Sequence, residues 1–395
     1  MNAVIELENT YGAHNYHPLP VVLTRGRGVF VWDDEDNQYM DMMSAYSAVS
    51  HGHCHPRLVN TLTQQANQLA VVSRAFYNNQ LGAFLQEVCR VADLPRALPM
   101  NSGAEAIETA IKAVRKWAYT VKQVPTDKAE IIVCHGNFHG RTTTIVSMSS
   151  EPQYKNGFGP FTPGFKVIPY GDIAALEQAI TPNTAAFLLE PIQGEAGIVI
   201  PPAGYLKACE TLCRKNKVLL ICDEIQTGLG RTGKWLACEH DDVKPDGLVL
   251  GKALGGGLLP VSVFLARDEI MDVFTPGDHG STFGGNSLAA AVGLEALRIL
   301  ADEHLIENSA ELGAYFLKEL QGIKSPLIKE VRGRGLFIGL EIDPKLAKAR
   351  DICLKMMKKG ILSKETHDTV VRLAPPLLIT RTQLDQALEV IRSVV

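Results

Sequence analysis

Two residues stand out by type and spacing. Asp223 follows a buried apolar run, Val218-Leu-Leu-Ile-Cys222, and Lys252 follows a second, Gly247-Leu-Val-Leu250. Glycines surround both, in Gln226-Thr-Gly-Leu-Gly-Arg-Thr-Gly233 and in Ala253-Leu-Gly-Gly-Gly257. A lysine amine forms a Schiff base with an aldehyde only as the neutral base, which a partly desolvated pocket favours. Its small neighbours Gly251, Ala253 and Gly255 leave the side chain room to swing. A carboxylate at a neighbouring strand end can hold the proton of a pyridine nitrogen, which makes a pyridoxal phosphate ring an electron sink. The pair therefore suits a covalently held aldehyde cofactor, carried by Lys252 and tuned by Asp223. On the residues alone, Asp223-Glu224 reads equally well as a helix cap or surface pair, and Lys252 as an ordinary loop lysine.

Two nucleotide readings fail on spacing. Leu219-Leu-Ile-Cys-Asp-Glu224 has the look of a Walker B strand, but a Walker A partner needs glycine, four residues, then Gly-Lys-Ser/Thr. Gly251-Lys252 has Asp246 where that first glycine belongs and Ala253 where the hydroxyl belongs. Gly228-Leu-Gly-Arg-Thr-Gly233 fits G-x-G-x-x-G. It starts several residues beyond its strand, however, and Trp235 onward is a poor start for a glycine-packed helix. His51-Gly-His-Cys-His55 has zinc-ligand residue types. No second ligand cluster follows it. Pro56 and the helical spacing of Leu58-Val-Asn-Thr-Leu62 predict a helix-entry turn there instead.

A layered fold must position these residues. Short buried strands are predicted at Ile131–Cys134, Thr144–Met148, Lys166–Ile168, Ala185–Leu189, Val218–Cys222, Leu248–Leu250 and Val261–Ala266. Helical stretches such as Ile173–Ile180 and Tyr205–Asn216 lie between them, so the expectation is an α/β domain with a mostly parallel sheet. Ligands bind beyond the carboxyl ends of such strands. That singles out Asn137-Phe-His-Gly-Arg141, Glu190 to Glu195, Asp223 to Gln226, and Lys252. Val29 to Met40 reads as a strand, an acidic turn and a strand. A helix is expected from Phe76, with Leu81, Phe84, Leu85 and Val88 on one face. Ser102 and Glu105 have capping-box spacing, which predicts a helix start with free N–H groups and a partial positive charge. Gly103 there allows close approach, a ready phosphate site. A long helix is expected over Leu288–Leu300, and a strand follows the glycine turn in Val331-Arg-Gly-Arg-Gly-Leu-Phe-Ile-Gly-Leu-Glu341.

The totals agree with two domains. A chain of 395 residues exceeds the roughly 250–300 residues at which a single core stops growing. With 46% hydrophobic and 21% charged residues the composition is that of a globular protein. A net charge of −4 gives no footprint for nucleic acid. No apolar run approaches the roughly 20 residues that span a bilayer. Eight cysteines are too sparse for a disulfide scaffold. Together with an acidic N-terminus, they fit a cytoplasmic protein, or an organellar matrix protein after removal of a transit peptide.

The spacing of Asp223 and Lys252 sits between two further motifs, Glu190-Pro-Ile-Gln-Gly-Glu195 upstream and Gly280-Ser-Thr-Phe-Gly-Gly-Asn286 downstream. In this arrangement the chain resembles the class III aminotransferases, pyridoxal-phosphate enzymes of fold type I, from about Tyr11 to Pro376. Within the class it looks most like the ornithine δ-aminotransferases. The segments that carry this are Tyr11-Gly-Ala-His-Asn-Tyr-His-Pro-Leu-Pro20, Ser73-Arg-Ala-Phe-Tyr-Asn-Asn79, Gly136-Asn-Phe-His-Gly-Arg-Thr142 and Arg372-Leu-Ala-Pro-Pro376. The implied organisation has residues 1–50 packing with a small domain. Residues 51–288 would form the large cofactor-binding domain and 289–395 the small α+β domain.

The resemblance implies a role for each matching residue. Lys252 would carry the cofactor and, once freed, move protons as general acid/base. Asp223 would hold the pyridinium proton, Gln226 would contact the ring's phenolic oxygen, and Phe138 would stack on the ring. Gly103 and Ala104 would hold the phosphate. Ser281 and Thr282 would reach the phosphate in a neighbouring subunit, which implies a homodimer. Tyr16 and Arg141 would grip the α-amino and α-carboxylate groups of ornithine, with Tyr46 lining the same pocket. Arg372 would bind the α-carboxylate of 2-oxoglutarate, and Glu195 would mask it while ornithine is bound. The reaction implied moves the δ-amine of ornithine to 2-oxoglutarate. N-acetylornithine and 4-aminobutyrate are rival donors, and an aminomutase is a rival reaction. Tyr16 favours free ornithine, because an α-amine needs a polar partner. His139 departs from the pattern, standing where a bulkier aromatic is expected beside Phe138, which bears on pocket shape.

Overall fold

The computed structural model describes residues 2–395. Its centre is a seven-stranded sheet. In order across the sheet, the strands are Arg96–Met100, Ser262–Ala266, Gly247–Leu250, Leu219–Asp223, Thr184–Leu189, Glu130–Cys134 and Phe165–Ile168. Ser262–Ala266 runs antiparallel to both neighbours, and the other pairings are parallel. Thr184–Leu189 and Leu219–Asp223 are buried along their whole length. That is why they read as unbroken apolar runs, as strands covered on both faces do. The long helix Gly103–Thr120 packs on this sheet through Ala106, Ile107, Ala110, Ile111 and Val114.

Two smaller sheets flank it. One joins the hairpin of Phe30–Asp33 and Gln38–Asp41 to Leu23–Arg27, and takes its last strand, Ile361–Leu362, from far along the chain. The other contains Ile328–Gly333, Ile338–Ile342, Val370–Leu373 and Glu365–Thr366. The helix Ser287–Asp302 packs on Pro56–Gln68 and Leu81–Ala92. No helix among the described residues is long and apolar enough to cross a membrane.

Two local expectations need correction, and one strand escapes the sequence. Thr144–Met148 is not a strand: residues Thr143–Ser147 form a short helix, with the Thr142 hydroxyl accepting from the Ile145 N–H at 3.4 Å. Its β-branched residues favour a strand in isolation, but the cap and burial of Ile145 and Val146 prevail. The helix expected from Phe76 begins at Leu81, because the Asn78 side chain accepts the N–H groups of Gln80 and Leu81 and turns the chain first. Arg96–Met100 is a strand that the sequence hides. It carries Pro99, which an edge position tolerates.

Candidate active site

The carboxyl ends of the central strands converge. Asp223 is the last residue of its strand and is buried. Lys252 lies two residues beyond the neighbouring strand end, in a tight 252–255 turn, with φ at +44°. A lysine in the left-handed region costs of order 1 kcal/mol or more and persists only where surrounding packing enforces it. Burial holds its amine below the usual lysine range, against the pull of Glu195, Asp223 and Glu190. That favours the neutral amine that carbonyl chemistry needs.

Both residues line a cavity of about 200 Å³, and Gly103, Ala104, Phe138 and Gln226 line it with them. The helix start is built as its residue types predict. The Ser102 hydroxyl accepts from the Glu105 N–H at 3.2 Å, and a Glu105 carboxylate oxygen accepts from the Ser102 N–H at 2.7 Å. Gly103 and Ala104 form the first turn beyond this cap. A Cβ on Gly103 would meet the Cδ1 tip of Ile225 at 2.9 Å, so a larger residue there would have to displace that side chain. Gln226 packs against Gly194, where a Cβ would lie 1.9 Å from its amide oxygen. The cavity thus offers an amine, a carboxylate, an aromatic face and a helix start. This is the donor set that a phosphorylated pyridine aldehyde requires.

His139 and Glu190 lie in segments the sequence singled out, but the sequence assigned them no contact with Asp223 or Phe138. His139 lines the cavity beside Phe138, and its ring also reaches inward. Its ring is fully buried, with Nδ1 2.7 Å from Asp223 Oδ2, while the other Asp223 oxygen accepts the Ile225 N–H at 3.0 Å. Burial disfavours the charged imidazole, but the Asp223 bond and the Asp223 and Glu190 charges together prevail and push His139 upward. Glu190 directly follows its strand and accepts the Phe138 N–H at 3.0 Å. Burial pushes its carboxyl up to about 8, with His139 opposing and Asp223 adding. The only sequence signal for either was a polar residue just past a strand end.

A second group of residues lies beside the cavity. Phe138 also lines a larger groove of about 810 Å³, together with Glu195 and Tyr154. Arg141 is exposed, its guanidinium 4.0 Å from the Tyr154 ring centre and 5.6 Å from that of Phe138. Arg372, on the strand Val370–Leu373, is buried and pairs with Glu195 at 2.7 Å. Its guanidinium also lies 4.7 Å from the Tyr46 ring centre. Tyr46 is carried by an unusual turn in which Ser44, Ala45, Tyr46 and Ser47 all have positive φ. Burial pushes the Tyr46 phenol upward against Arg372, with Glu195 and the nearby Tyr16 adding to the rise. Tyr16 itself is 69% exposed.

Ser281 and Thr282 do not line the cavity. Ser281 Oγ accepts from Asn101 Nδ2 at 2.8 Å, and Thr282 is exposed. The three histidines of residues 51–55 point to separate partners: the Ala296 carbonyl, Asp41 and Glu303. Among the described residues no cluster of three or more His, Cys, Asp or Glu could hold a metal ion.

Known proteins share this architecture. The family model for class III aminotransferases matches residues 11–395. An ornithine aminotransferase from an Exiguobacterium species is 59% identical over 391 residues, covering 99% of this chain and 97% of the relative. Among solved structures, the ornithine aminotransferase of Toxoplasma gondii superposes with a TM-score of 0.98 at 46% identity, over 99% of this chain and 94% of that one. An acetylornithine aminotransferase from Elizabethkingia anophelis gives 0.90 at 49% identity, over 99% and 98%. A cavity fitted to a phosphorylated aldehyde, in a fold of type I, and a family match over nearly the whole length lead to one conclusion: this chain belongs to the class III aminotransferases, whose cofactor is pyridoxal phosphate.

Proposed function

We propose that the protein is an ornithine aminotransferase, moving the δ-amine of L-ornithine to 2-oxoglutarate. The products are glutamate and glutamate 5-semialdehyde, which cyclises to pyrroline-5-carboxylate. The observation that carries this reading is the unequal state of two arginines. Arg372 is masked by Glu195 at 2.7 Å, whereas Arg141 stacks on Tyr154 at 4.0 Å and stays exposed. A donor whose α-carboxylate goes to Arg141 is held by the end distant from Lys252. Tyr16 then serves its α-amine, and the δ-amine is left facing the cavity. The acceptor is a dicarboxylate, and its α-carboxylate draws Arg372 away from Glu195 in a bidentate pair.

Pyridoxal phosphate, when bound, supplies the aldehyde that takes the amine and the ring that accepts electrons. The remaining work falls to the chain. Gly103 and Ala104 receive the phosphate, Phe138 covers one ring face, Gln226 meets the phenolic oxygen and Asp223 holds the ring proton. Lys252 is the base that takes the proton from the reacting carbon and returns it, which its desolvation permits near neutral pH.

The protein works as a homodimer in this proposal, with Ser281 and Thr282 completing the neighbouring subunit's phosphate site. Support comes from an exposed apolar surface on the same side. Leu69, Val71, Phe76, Tyr77 and Phe283 are all exposed, and the Leu288 N–H to Ala70 carbonyl bond ties their segments together. The division into residues 1–50, 51–288 and 289–395 is part of the same reading, supported by the strand Ile361–Leu362 that pairs with Gln38–Asp41.

The decisive assay mixes the purified protein with ornithine and 2-oxoglutarate and follows pyrroline-5-carboxylate, with N-acetylornithine and 4-aminobutyrate in parallel. Turnover of either alternative without product from ornithine would overturn the substrate claim. Turnover of ornithine without 2-oxoglutarate would point to an aminomutase.

A further inference from the structure

The loop that carries Ser281 and Thr282 is received by one face of the Gly103–Thr120 helix. Glu105, Thr109, Lys112 and Lys116 recur at helical spacing and share that face. Lys112 donates from Nζ to the Asp278 carbonyl at 2.9 Å and to His279 Nδ1 at 3.0 Å. Lys116 pairs with the Asp278 carboxylate. That carboxylate also accepts from the Thr275 N–H at 2.8 Å and its hydroxyl at 2.9 Å. His279 Nε2 lies 2.8 Å from Thr109 Oγ1, and the Thr109 hydroxyl donates to the Glu105 carbonyl at 2.7 Å. Phe274 stacks on the imidazole with ring centres 5.6 Å apart.

Chemistry fixes the direction of every bond in this chain. An ammonium group only donates, so His279 Nδ1 accepts from Lys112. The Thr109 proton is committed to the Glu105 carbonyl, so Thr109 Oγ1 accepts and His279 Nε2 donates. Only the neutral imidazole with its proton on Nε2 satisfies both contacts. A second proton, on Nδ1, would face the Lys112 ammonium 3.0 Å away.

We propose that His279 is a positioning residue. As the neutral Nε2–H tautomer it locks the loop bearing Ser281 and Thr282 onto the helix whose first turn lines the cofactor cavity, and its protonation releases that loop. This rests on the reading of Ser281 and Thr282 as cofactor-phosphate contacts across a homodimer. The lock and Ser281 share one helix of this chain, because Ser281 Oγ accepts from Asn101 Nδ2 at the helix entry. The charged groups facing the ring are Lys112 and Glu105 from the helix, with Asp278 and its partner Lys116 close by. Burial and Lys112 hold the imidazole below its ordinary range, against Glu105. A depressed histidine keeps its contribution above its unfolded pKa and loses it as pH falls, so release begins below about pH 6.5.

The test uses the full-length protein loaded with pyridoxal phosphate. It measures the cofactor dissociation constant by absorbance and the amide exchange of residues 275–283. In His279→Gln, the side-chain oxygen can accept from Lys112 and the amide can donate to Thr109. His279→Leu can do neither. The expected result is a dissociation constant raised about tenfold in His279→Leu, the scale of one charge-assisted hydrogen bond, with faster exchange across the loop. His279→Gln stays within about threefold of the parent and lacks the parent's loss of cofactor as pH falls below about 6.5. Parent-like cofactor binding and exchange in His279→Leu would overturn the proposal, and so would a His279→Gln protein as impaired as His279→Leu. If His279→Leu does not fold, Thr109→Val with Lys112→Met removes the same bonds from the helix side and is judged by the same readouts. A Ser281→Ala, Thr282→Ala protein separates the two readings. Unchanged cofactor affinity there sinks the phosphate reading, while the exchange measurement still decides the lock.

Discussion

The pairing of Glu195 with Arg372 makes a quantitative prediction about the acceptor. Among the described residues Glu195 is the only carboxylate paired with Arg372, at 2.7 Å, and Arg372 is only 5% exposed. In the proposed function Arg372 takes the 2-oxoglutarate carboxylate, and this bond must open first. A hydrogen bond between charged groups contributes about 1.5–3 kcal/mol. Glu195 is partly exposed, with a side-chain accessibility of 19%, so the lower part of that range applies. Removing the mask in Glu195→Ala should therefore tighten the acceptor by roughly 10-fold. Glu195→Gln keeps a neutral acceptor for the guanidinium, whose bond is about half as strong, and should tighten it by roughly 3-fold. The cost falls on ornithine. An unmasked Arg372 competes with Arg141 for the α-carboxylate and turns the α-amine toward Lys252. The assay is stopped-flow of each half-reaction, giving the concentration dependence for 2-oxoglutarate and for ornithine separately. An acceptor dependence unchanged in both variants, with folding intact, would refute the masking argument.

Other expectations follow from buried polar groups and backbone strain. Ala45 is exposed with φ at +45° and ψ at +53°, so Ala45→Gly should raise unfolding stability by about 0.5–1 kcal/mol in a urea titration. Glu224 is buried and accepts from Thr227 Oγ1 at 2.5 Å, the Ala237 N–H at 3.0 Å and the Cys238 N–H at 2.8 Å. Glu224→Ala leaves those donors without a partner and should cost about 3 kcal/mol or more in the same titration. Glu190 has its carboxyl raised to about 8 by burial. A raised carboxyl favours folding most below its unfolded pKa and loses that contribution as pH rises toward 8. Glu190→Gln removes the effect, so its urea midpoint should gain on the parent's between about pH 5 and 8; a constant difference across that window would refute the assignment.

The placement of the candidate cofactor residues around one cavity was legible because it is local. Asp223, Lys252 and the Ser102–Glu105 cap each sit at the end of an element that the apolar pattern announces, and one sheet brings those ends together. The histidine on Asp223 was not legible. Nothing in Phe138-His139 says that the ring turns inward by 2.7 Å contact with a residue 84 positions away. The Thr143–Ser147 helix was misread for a related reason, since its capping and burial come from tertiary surroundings that override β-branched propensity. The left-handed turn under Tyr46 was invisible too. Four consecutive positive φ values at Ser-Ala-Tyr-Ser contradict every local preference of those residues. The turn is entered through a local bond, the Asp41 carboxylate accepting the Met43 and Ser44 N–H groups at 2.8 and 2.9 Å, and Gln226 Nε2 donates to the Tyr46 carbonyl at 3.4 Å from far along the chain.

The glycine-rich segment that imitates a dinucleotide loop has a different job, and it bears on the substrate half of the site. A Cβ on Gly233 would meet Ala310 at 2.8 Å, and one on Gly335 would meet the Thr232 backbone at 2.4 Å. These glycines let the segment press against C-terminal elements, not against a phosphate. Between them Arg231 is completely buried. Its Nη1 donates to the Leu336 and Pro375 carbonyls at 2.9 and 2.6 Å, and its Nη2 to Ser50 Oγ at 2.9 Å. Burial lowers this arginine to about 9, with only Asp41 opposing. Such a group is costly to bury and is retained where it fixes geometry. Here it joins three stretches at once: the one ahead of strand Ile338–Ile342, the one just after Arg372, and the one just after Tyr46. Asp223 and Lys252 belong to the central sheet, while Arg372 belongs to another. This joint, eight residues beyond Asp223 in the chain, therefore ties the segment after Asp223 to the one after Arg372.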